Sequence, residues 1–334
     1  MVYTEVDVAD IIKQDRLGAG VADALFAVAG QKISSGLNDK LTSLYNPAGK
    51  VTQRGSGTAK KVKTIVADAM TGENQYLRPN GQAYFSRAWG EHADVEVVKK
   101  ARNAGHYILL YGAPGCGKTA LAEAAFGEDL YTVLGSGDTE VSDLVGGYVQ
   151  TPSGGFEWVD GALLRAAEEG KPLLIDEIGL IDPKVLSIVY GLMDGRKEYT
   201  VTQNPERGTV KAKDGFYVLA ATNPNAPGVR LSEALLSRFT LHAEMTTDYT
   251  LARKLGAPAP VVTVAQNLFK KQQSGEVSWS PQMRELLAFR DVSVDFGTNF
   301  AIANLIASAP ELDRPIVADV FTRVFGEEAK PAKI

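Results

Sequence analysis

The sequence predicts an α/β protein in which a parallel β-sheet carries helices on both faces and is followed by a small all-α lid. Apolar, strand-like runs alternate with helical patterns between residues 107 and 221, and strands joined through helices pair in parallel. Beyond Asp248 the pattern is helical only, over residues 251–255, 261–273, 281–289, 300–307 and 315–325. Apolar residues at helical spacing in residues 1–45 add a helical N-terminal extension.

The composition is that of an ordinary globular protein, with 45% hydrophobic and 22% charged residues among 334. No apolar run approaches the roughly 20 residues of a membrane helix, and the N-terminus lacks the features of a secretion signal. The single cysteine, Cys116, excludes an internal disulfide and is either a small loop residue or a redox-sensitive switch. We therefore expect a cytoplasmic protein with no membrane partner. The net charge of −5 argues against global attraction to nucleic acid but leaves a local basic patch open.

The run Gly-Ala-Pro-Gly-Cys-Gly-Lys-Thr at residues 112–119 matches the phosphate-loop pattern G-x-x-x-x-G-K-[ST]. An apolar strand precedes it and a helical pattern follows, as this motif requires. Glycines let backbone N–H groups turn inward around phosphates, and the helix N-terminus adds partial positive charge. Lys118 is predicted to reach the β- and γ-phosphates, and the Thr119 hydroxyl to ligate Mg²⁺. The predicted nucleotide-binding residues are Gly112, Pro114, Gly115, Cys116, Gly117, Lys118, Thr119 and Ala120.

Two acidic residues, Asp176 and Glu177, come directly after an apolar strand that begins at Pro172. If that strand ends opposite the phosphate loop, Asp176 holds Mg²⁺ in its second shell or through water, and Glu177 orients and polarises the attacking water. The alternative is a surface turn with two solvated acids. The preceding phosphate loop favours the functional interpretation.

Two further polar residues are catalytic candidates. Asn223 follows the next buried strand, where its amide would hydrogen-bond the attacking water and the γ-phosphate, although Asn before Pro224 also forms turns. Arg238 lies near the end of a predicted helix over residues 231–239. It either satisfies the last carbonyls of that helix or acts as an arginine finger on a neighbouring subunit's γ-phosphate.

These four motifs, in this order, resemble the MoxR group of AAA+ ATPases, which includes CbbQ- and NorQ-like proteins. The resemblance covers about residues 76–310 and is carried by residues 112–119, 173–178, 221–224 and 231–239. It implies ATP and Mg²⁺ as cofactors and a hexameric ring with ATP sites between subunits. It also implies a chaperone-like remodelling of a protein client, often one with a von Willebrand A domain. In this group's terms Lys118 and Thr119 are Walker A, Asp176 and Glu177 Walker B, Asn223 sensor 1 and Arg238 the arginine finger.

The resemblance also implies two hairpins, one within residues 136–160 and one within residues 196–210. Tyr148, Phe156 and Trp158 in the first either grip a client at a central pore or pack the hairpin onto the sheet.

One feature of the group has no clear counterpart in the sequence. Asn299 occupies the place where the sensor 2 arginine is expected at the start of a lid helix, and Arg284 and Arg290 lie nearby without matching the pattern. Coupling between hydrolysis and lid motion is therefore open at this point.

The predicted domains are a helical extension and basic linker (1–75), an AAA+ nucleotide-binding domain (76–246), an α-helical lid (247–326) and a tail (327–334). The predicted function is Mg²⁺-dependent ATP hydrolysis by a ring that remodels a protein. One alternative is a motor on nucleic acid, contacted through the basic residues 50–63 together with Lys211 and Lys213. Another is a nucleotide-gated scaffold with little hydrolysis, which a missing sensor 2 arginine would favour.

Overall fold

The computed structural model describes residues 75–332. The predicted helical extension over residues 1–45 and the basic linker over residues 46–63 lie outside this range. The described chain divides into two compact units. One contains residues 75–105 and 120–130, and the other contains residues 106–119 and 131–332.

The first unit begins with short strands and one helix, β1 Gln75–Leu77, β2 Ala83–Phe85, β3 Ala88–Trp89, β4 His92–Ala93 and α1 Asp94–Ala104. The strands pair antiparallel, β1 with β2 and β3 with β4. The carboxylate of Asp94 is buried and accepts hydrogen bonds from the hydroxyls of Tyr84 and Ser86, both at 2.5 Å. Burial raises the pKa of Tyr84, which keeps this hydroxyl a donor. The hairpins are thereby fastened to the start of α1.

The strands and helices that follow in chain order are β5 Ile108–Tyr111, α2 Lys118–Phe126, β6 Tyr131–Leu134, α3 Val141–Val145, β7 Gly146–Gln150, β8 Phe156–Asp160, α4 Ala162–Glu169, β9 Pro172–Asp176, α5 Pro183–Met193, β10 Glu198–Thr200, β11 Thr209–Lys211, β12 Tyr217–Thr222, α6 Glu233–Leu236 and β13 Leu241–Glu244.

Five of these strands form one parallel sheet in the order β13-β5-β12-β9-β6. The three inner strands are almost entirely buried, and α4 and α5 pack on the sheet with leucine, isoleucine and valine side chains. The predicted fold class, a parallel sheet with flanking helices, is confirmed. The sequence patterns predict every sheet strand except β13, an edge strand whose burial alternates and which therefore lacks a continuous apolar run.

Two antiparallel hairpins project from this framework, as predicted. In the β7–β8 hairpin Tyr148 lies opposite Trp158, and their rings meet edge to face with centroids 5.3 Å apart. Trp158 packs against the hydrophobic core and donates its Nε1–H to Asp160 at 2.6 Å, whereas Tyr148 and Phe156 are 56% and 69% exposed. Trp158 therefore packs the hairpin against the core, as one alternative held, whereas Tyr148 and Phe156 face solvent, as the other requires.

The second hairpin, β10–β11, is tied to the first by an arginine. Arg207, in the loop joining β10 to β11, contacts Asp160 at the end of β8 at 2.9 Å and Glu168 in α4 at 2.5 Å. Because the guanidinium also donates to Asp160 through Nε, the pairing is bidentate. One side chain thus joins both hairpins to helix α4.

The C-terminal part is all helical, with α7 Tyr249–Lys254, α8 Ala259–Gln273, α9 Met283–Phe296, α10 Thr298–Ser308 and α11 Arg314–Phe325. Its buried residues form a hydrophobic cluster distinct from that of the sheet, in which Phe289 and Phe321 stack with centroids 6.5 Å apart. The predicted helical segment is confirmed, although α9 extends well beyond its predicted end at Phe289. Throughout residues 75–332, no helix has both the length and the apolar character required to cross a membrane.

Candidate nucleotide-binding site

Two glycines in the loop between β5 and α2 have backbone conformations and close neighbours that disfavour any side chain. Gly112 has φ 152°, and a Cβ there would lie 2.2 Å from the carbonyl oxygen of Met245. Gly115 has φ 81°, and its Cβ would lie 2.9 Å from Cβ of Arg284. Within residues 75–332 the N–H groups of Gly115 and Gly117 have no hydrogen-bond acceptor. Unpaired donors at the start of a helix suit a bound phosphate.

Lys118 lies folded over the loop that it closes. Its side chain is buried, and Nζ donates hydrogen bonds to the carbonyl oxygens of Gly112 at 2.9 Å and Ala113 at 3.1 Å. An ammonium group has three donors, so one remains for a phosphate oxygen. The other predicted loop residues differ in exposure, with Pro114 exposed, Cys116 buried and Ala120 half-buried in α2.

Thr119 and Asp176, the two predicted Mg²⁺ ligands, are in direct contact. The Thr119 hydroxyl donates to Oδ2 of Asp176 at 2.7 Å, and Oδ1 of Asp176 accepts the N–H of Glu177 at 3.0 Å. A hydroxyl and a carboxylate, completed by phosphate oxygens and water, suit the octahedral preference of Mg²⁺. The described residues contain no group of three or more His, Cys, Asp or Glu side chains able to hold a metal. A metal here would therefore depend on the nucleotide for further ligands.

Glu177 and Asn223 also lie together. Oε2 of Glu177 accepts the backbone N–H of Asn223 at 3.2 Å. Glu177 has a left-handed backbone, with φ 51° and ψ 40°, a conformation that costs a non-glycine residue about 1–3 kcal/mol and is common at functional sites. The amide oxygen of Asn223 accepts the N–H of Asn225 at 3.2 Å, so this side chain also shapes a turn. Both interpretations of Asn223 in the sequence are thus compatible with its position.

Arg238 has different neighbours. The predicted helix over residues 231–239 is only the short α6, and Arg238 follows it. Its guanidinium carbon lies 3.9 Å from the centroid of the Tyr190 ring, and Nη1 donates to the carbonyl oxygen of Ala234. The structure therefore brings the loop, the acid pair and Asn223 together, while the contacts of Arg238 are made elsewhere.

A further arginine, Arg284, lies beside the loop, and the sequence pattern misses its position. It is the second residue of α9, and its backbone N–H points to the carbonyl oxygen of Gly115 at 3.4 Å. The start of α9 is held by buried Thr247, whose hydroxyl donates to Gln282 at 2.8 Å and accepts the N–H of Met283 at 3.1 Å.

The Arg284 side chain is exposed, and within residues 75–332 it has no hydrogen bond or ion pair. Asn299, at the place expected from the pattern, instead lines a cleft with Phe325 and Glu327. The sequence signal that could have located Arg284 is the capping box formed by Gln282 and Glu285. It marks the start of a helix and puts Arg284 in the first turn.

A phosphate loop following a buried parallel strand, with an acid from a second strand bonded to its threonine, defines the class of P-loop nucleotide-binding domains. Within this class, residues 107–239 match the family described as AAA domain (dynein-related subfamily). About two-fifths of the chain is thus similar to AAA domains. The match is to this AAA domain family as a whole and does not distinguish the MoxR group.

Two relatives each match part of the chain. YojN of Bacillus subtilis is 37% identical over 180 residues, which are 51% of this chain and 58% of YojN. Midasin of Giardia intestinalis is 35% identical over 149 residues, which are 42% of this chain and 3% of midasin. The chain thus spans about three-fifths of YojN and a small part of midasin. Among solved structures, NtrX of Brucella abortus overlays with a TM-score of 0.42 and 16% identity, covering 92% of this chain and 68% of NtrX.

Proposed function

We propose that this protein is a Mg²⁺-dependent ATP hydrolase that assembles into a ring, hexameric as in the MoxR group, and remodels a protein partner in the cytoplasm. The observation that carries the proposal is the 2.7 Å hydrogen bond between Thr119 and Asp176. It joins the phosphate loop to the acid pair, so that a triphosphate, a metal and an activated water fit in one cleft. The match to an AAA domain over residues 107–239 supports the same activity.

Each residue of the cleft has a defined part in the proposed reaction. The loop N–H groups and Lys118 bind the phosphates, while Thr119 and Asp176 would hold Mg²⁺. When bound, the metal neutralises charge on the β- and γ-phosphates. Glu177 exchanges its hydrogen bond from the Asn223 N–H for one from the attacking water, which it orients and polarises.

The surroundings of Arg238 support catalysis between subunits. Its guanidinium lies on Tyr190 and donates to the Ala234 carbonyl oxygen of α6, the helix-end contact that is the alternative from the sequence. No carboxylate in the described part of the molecule forms an ion pair with it, and Asp194 acts on it only through its charge. An arginine finger offered to a neighbour is worth about 10³-fold or more in rate, so assembly and turnover should be linked.

Two surface features bear on the partner. Tyr148 and Phe156 are exposed on a hairpin, which supports binding of a protein client there, such as one with a von Willebrand A domain. The nucleic-acid motor has weaker support because Lys211 lies 3.7 Å from Glu198, an ion pair that reduces its availability to phosphates. The scaffold alternative loses its main argument, because Arg284 lies beside the phosphate loop.

The test measures phosphate release from ATP and Mg²⁺ by the full chain, together with its size with and without ATP. We expect Lys118→Ala to abolish binding, Glu177→Gln to bind ATP, remain assembled and lose turnover, and Arg238→Ala to bind ATP and lose most turnover. Glu206→Gln, an exposed carboxylate in a loop, is the matched control and should behave as wild type. Wild-type turnover by Glu177→Gln contradicts the mechanism. A monomer under all conditions, or full activity of dilute Arg238→Ala, contradicts the ring.

A further inference from the structure

The side chain of Arg238 is held by two separate elements. Tyr190, in the last turn of α5, lies under the guanidinium at 3.9 Å, well inside the roughly 6 Å limit for a cation–π contact. Ala234, in α6, accepts a hydrogen bond from Nη1. A long, flexible side chain is thereby restricted to one direction.

This arrangement leaves the useful part of the guanidinium free. Stacking occupies the face of the group, whereas its N–H donors point outward in its plane. Only Nη1 has an acceptor within residues 75–332, so the Nε and Nη2 donors of Arg238 remain available to an anion. An arginine with a fixed face and an open edge is suited to bidentate contact with a phosphoryl group.

The Tyr190 ring, rather than its hydroxyl, makes this contact. The ring is half-buried and packs against the hydrophobic cluster of the sheet. The hydroxyl oxygen is buried and makes no hydrogen bond of good geometry in the described residues. Burial raises the pKa of Tyr190, and the charge of Arg238 and the nearby Ser232 side chain act in the opposite direction. The ring is therefore neutral at physiological pH and keeps the electron-rich face that attracts a cation.

We propose that Tyr190 is a positioning residue for Arg238, whose ring sets the direction in which the guanidinium reaches a nucleotide phosphate on a neighbouring subunit. The proposal rests on the proposed function, in which Arg238 acts between subunits. Without the ring, the guanidinium samples more rotamers and spends less time in the productive one. Because such a contact matters in the transition state, the loss falls on kcat and leaves KM for ATP nearly unchanged.

The test compares steady-state ATP turnover of the full chain carrying Tyr190→Phe, Tyr190→Leu, Arg238→Ala, or Tyr190→Leu with Arg238→Ala. Tyr190→Phe keeps the ring and removes only the hydroxyl, which does not contact Arg238, so kcat should stay within about twofold of wild type. Tyr190→Leu keeps an apolar side chain but has no aromatic face, and kcat should fall by about 5- to 10-fold. Adding Tyr190→Leu to Arg238→Ala should cause no further loss, because the ring acts through the arginine.

Any one of three results would overturn the positioning role. In the first, Tyr190→Leu retains the wild-type kcat, and in the second, Tyr190→Phe loses as much kcat as Tyr190→Leu. In the third, Tyr190→Leu lowers kcat by the same factor in the Arg238→Ala background as in wild type. The last would indicate a merely structural effect. If thermal unfolding shows that Tyr190→Leu does not fold, Tyr190→Met takes its place in the same comparison. Full turnover by Arg238→Ala alone has a different meaning, since it contradicts the proposed function before the ring is tested.

Discussion

Replacing Arg284 with Ala tests whether this arginine senses the γ-phosphate. The residue is exposed and lies in the first turn of α9, and its side chain has no hydrogen bond or ion pair within residues 75–332. Its removal should therefore change the free energy of unfolding by less than about 0.5 kcal/mol. Its neighbour in the phosphate loop is Gly115, whose carbonyl oxygen faces the Arg284 N–H at 3.4 Å. This backbone position beside the phosphate loop makes Arg284 a candidate contact for a terminal phosphate.

The magnitude follows from the missing contact. A hydrogen bond to a charged group contributes about 1.5–3 kcal/mol, and a factor of ten in affinity corresponds to about 1.4 kcal/mol. If Arg284 contacts the γ-phosphate, Arg284→Ala should weaken ATP binding by about 10- to 100-fold. The affinity for ADP, which lacks this phosphate, should be nearly unchanged.

Titration calorimetry with ATP and ADP measures both affinities, and phosphate release measures turnover. Arg290→Ala is a matched control, since Arg290 lies in the same helix but donates to the carbonyl oxygen of Leu255 at 2.5 Å and to Asp291 at 2.7 Å. That variant should lose some stability and keep the ATP-to-ADP preference, and so should Asn299→Ala. An unchanged preference in Arg284→Ala, or a lost preference in Asn299→Ala, would refute the reasoning.

Three further predictions concern the hairpins and the loop. Burial alone raises the pKa of Asp160, but hydrogen bonds, first among them that from Arg207, bring this pKa below its usual value. Because the pKa of this carboxyl is lower in the folded protein than in the unfolded chain, the ion pair stabilises the fold once the carboxyl is ionised. Arg207→Met should therefore lower the free energy of unfolding in urea by about 1–2 kcal/mol at pH 7. The difference from wild type should shrink below about pH 4, where the carboxyl becomes protonated. Gly112→Ala places a methyl group 2.2 Å from the Met245 carbonyl oxygen and should abolish ATP binding in calorimetry, which native-like affinity would contradict. Thr119→Val keeps the shape of the side chain and should still bind ATP. The increase in ATP affinity caused by Mg²⁺ should be at least about tenfold smaller than in wild type, and an unchanged Mg²⁺ dependence would exclude Thr119 as a ligand.

Much of the fold could be predicted because its inner strands carry continuous apolar runs. The buried strands β5, β9 and β12 have such runs, and the residues after them fix where the polar site begins. Edge strand β13, with the sequence Leu-His-Ala-Glu, carries no comparable signal, since half of it faces solvent. Helix α9 extends to Phe296 through aspartate, serine and valine, which are poor helix formers, and its last residues, among them Val294 and Phe296, are exposed, so neither propensity nor an apolar pattern indicates this end.

The candidate site likewise has parts that the sequence could predict and parts that it could not. The contact between Thr119 and Asp176 could be predicted, because parallel strands end at the same edge of a sheet and the motif fixes the loop. The position of Arg284 could not, because it depends on a buried hydrogen bond between Thr247 and Gln282, far apart in sequence. Likewise no periodicity indicates that the Arg238 side chain lies on Tyr190, since this contact joins two helices through the tertiary fold.

The ion pairs of Arg207 connect distant parts of the chain. Asp160, at the end of the β7–β8 hairpin, contacts the guanidinium, which in turn contacts Glu168 in helix α4. That helix leads directly into β9, the strand that ends in the acidic residue Asp176. The exposed hairpin is therefore connected, through one guanidinium and helix α4, to the strand that carries Asp176.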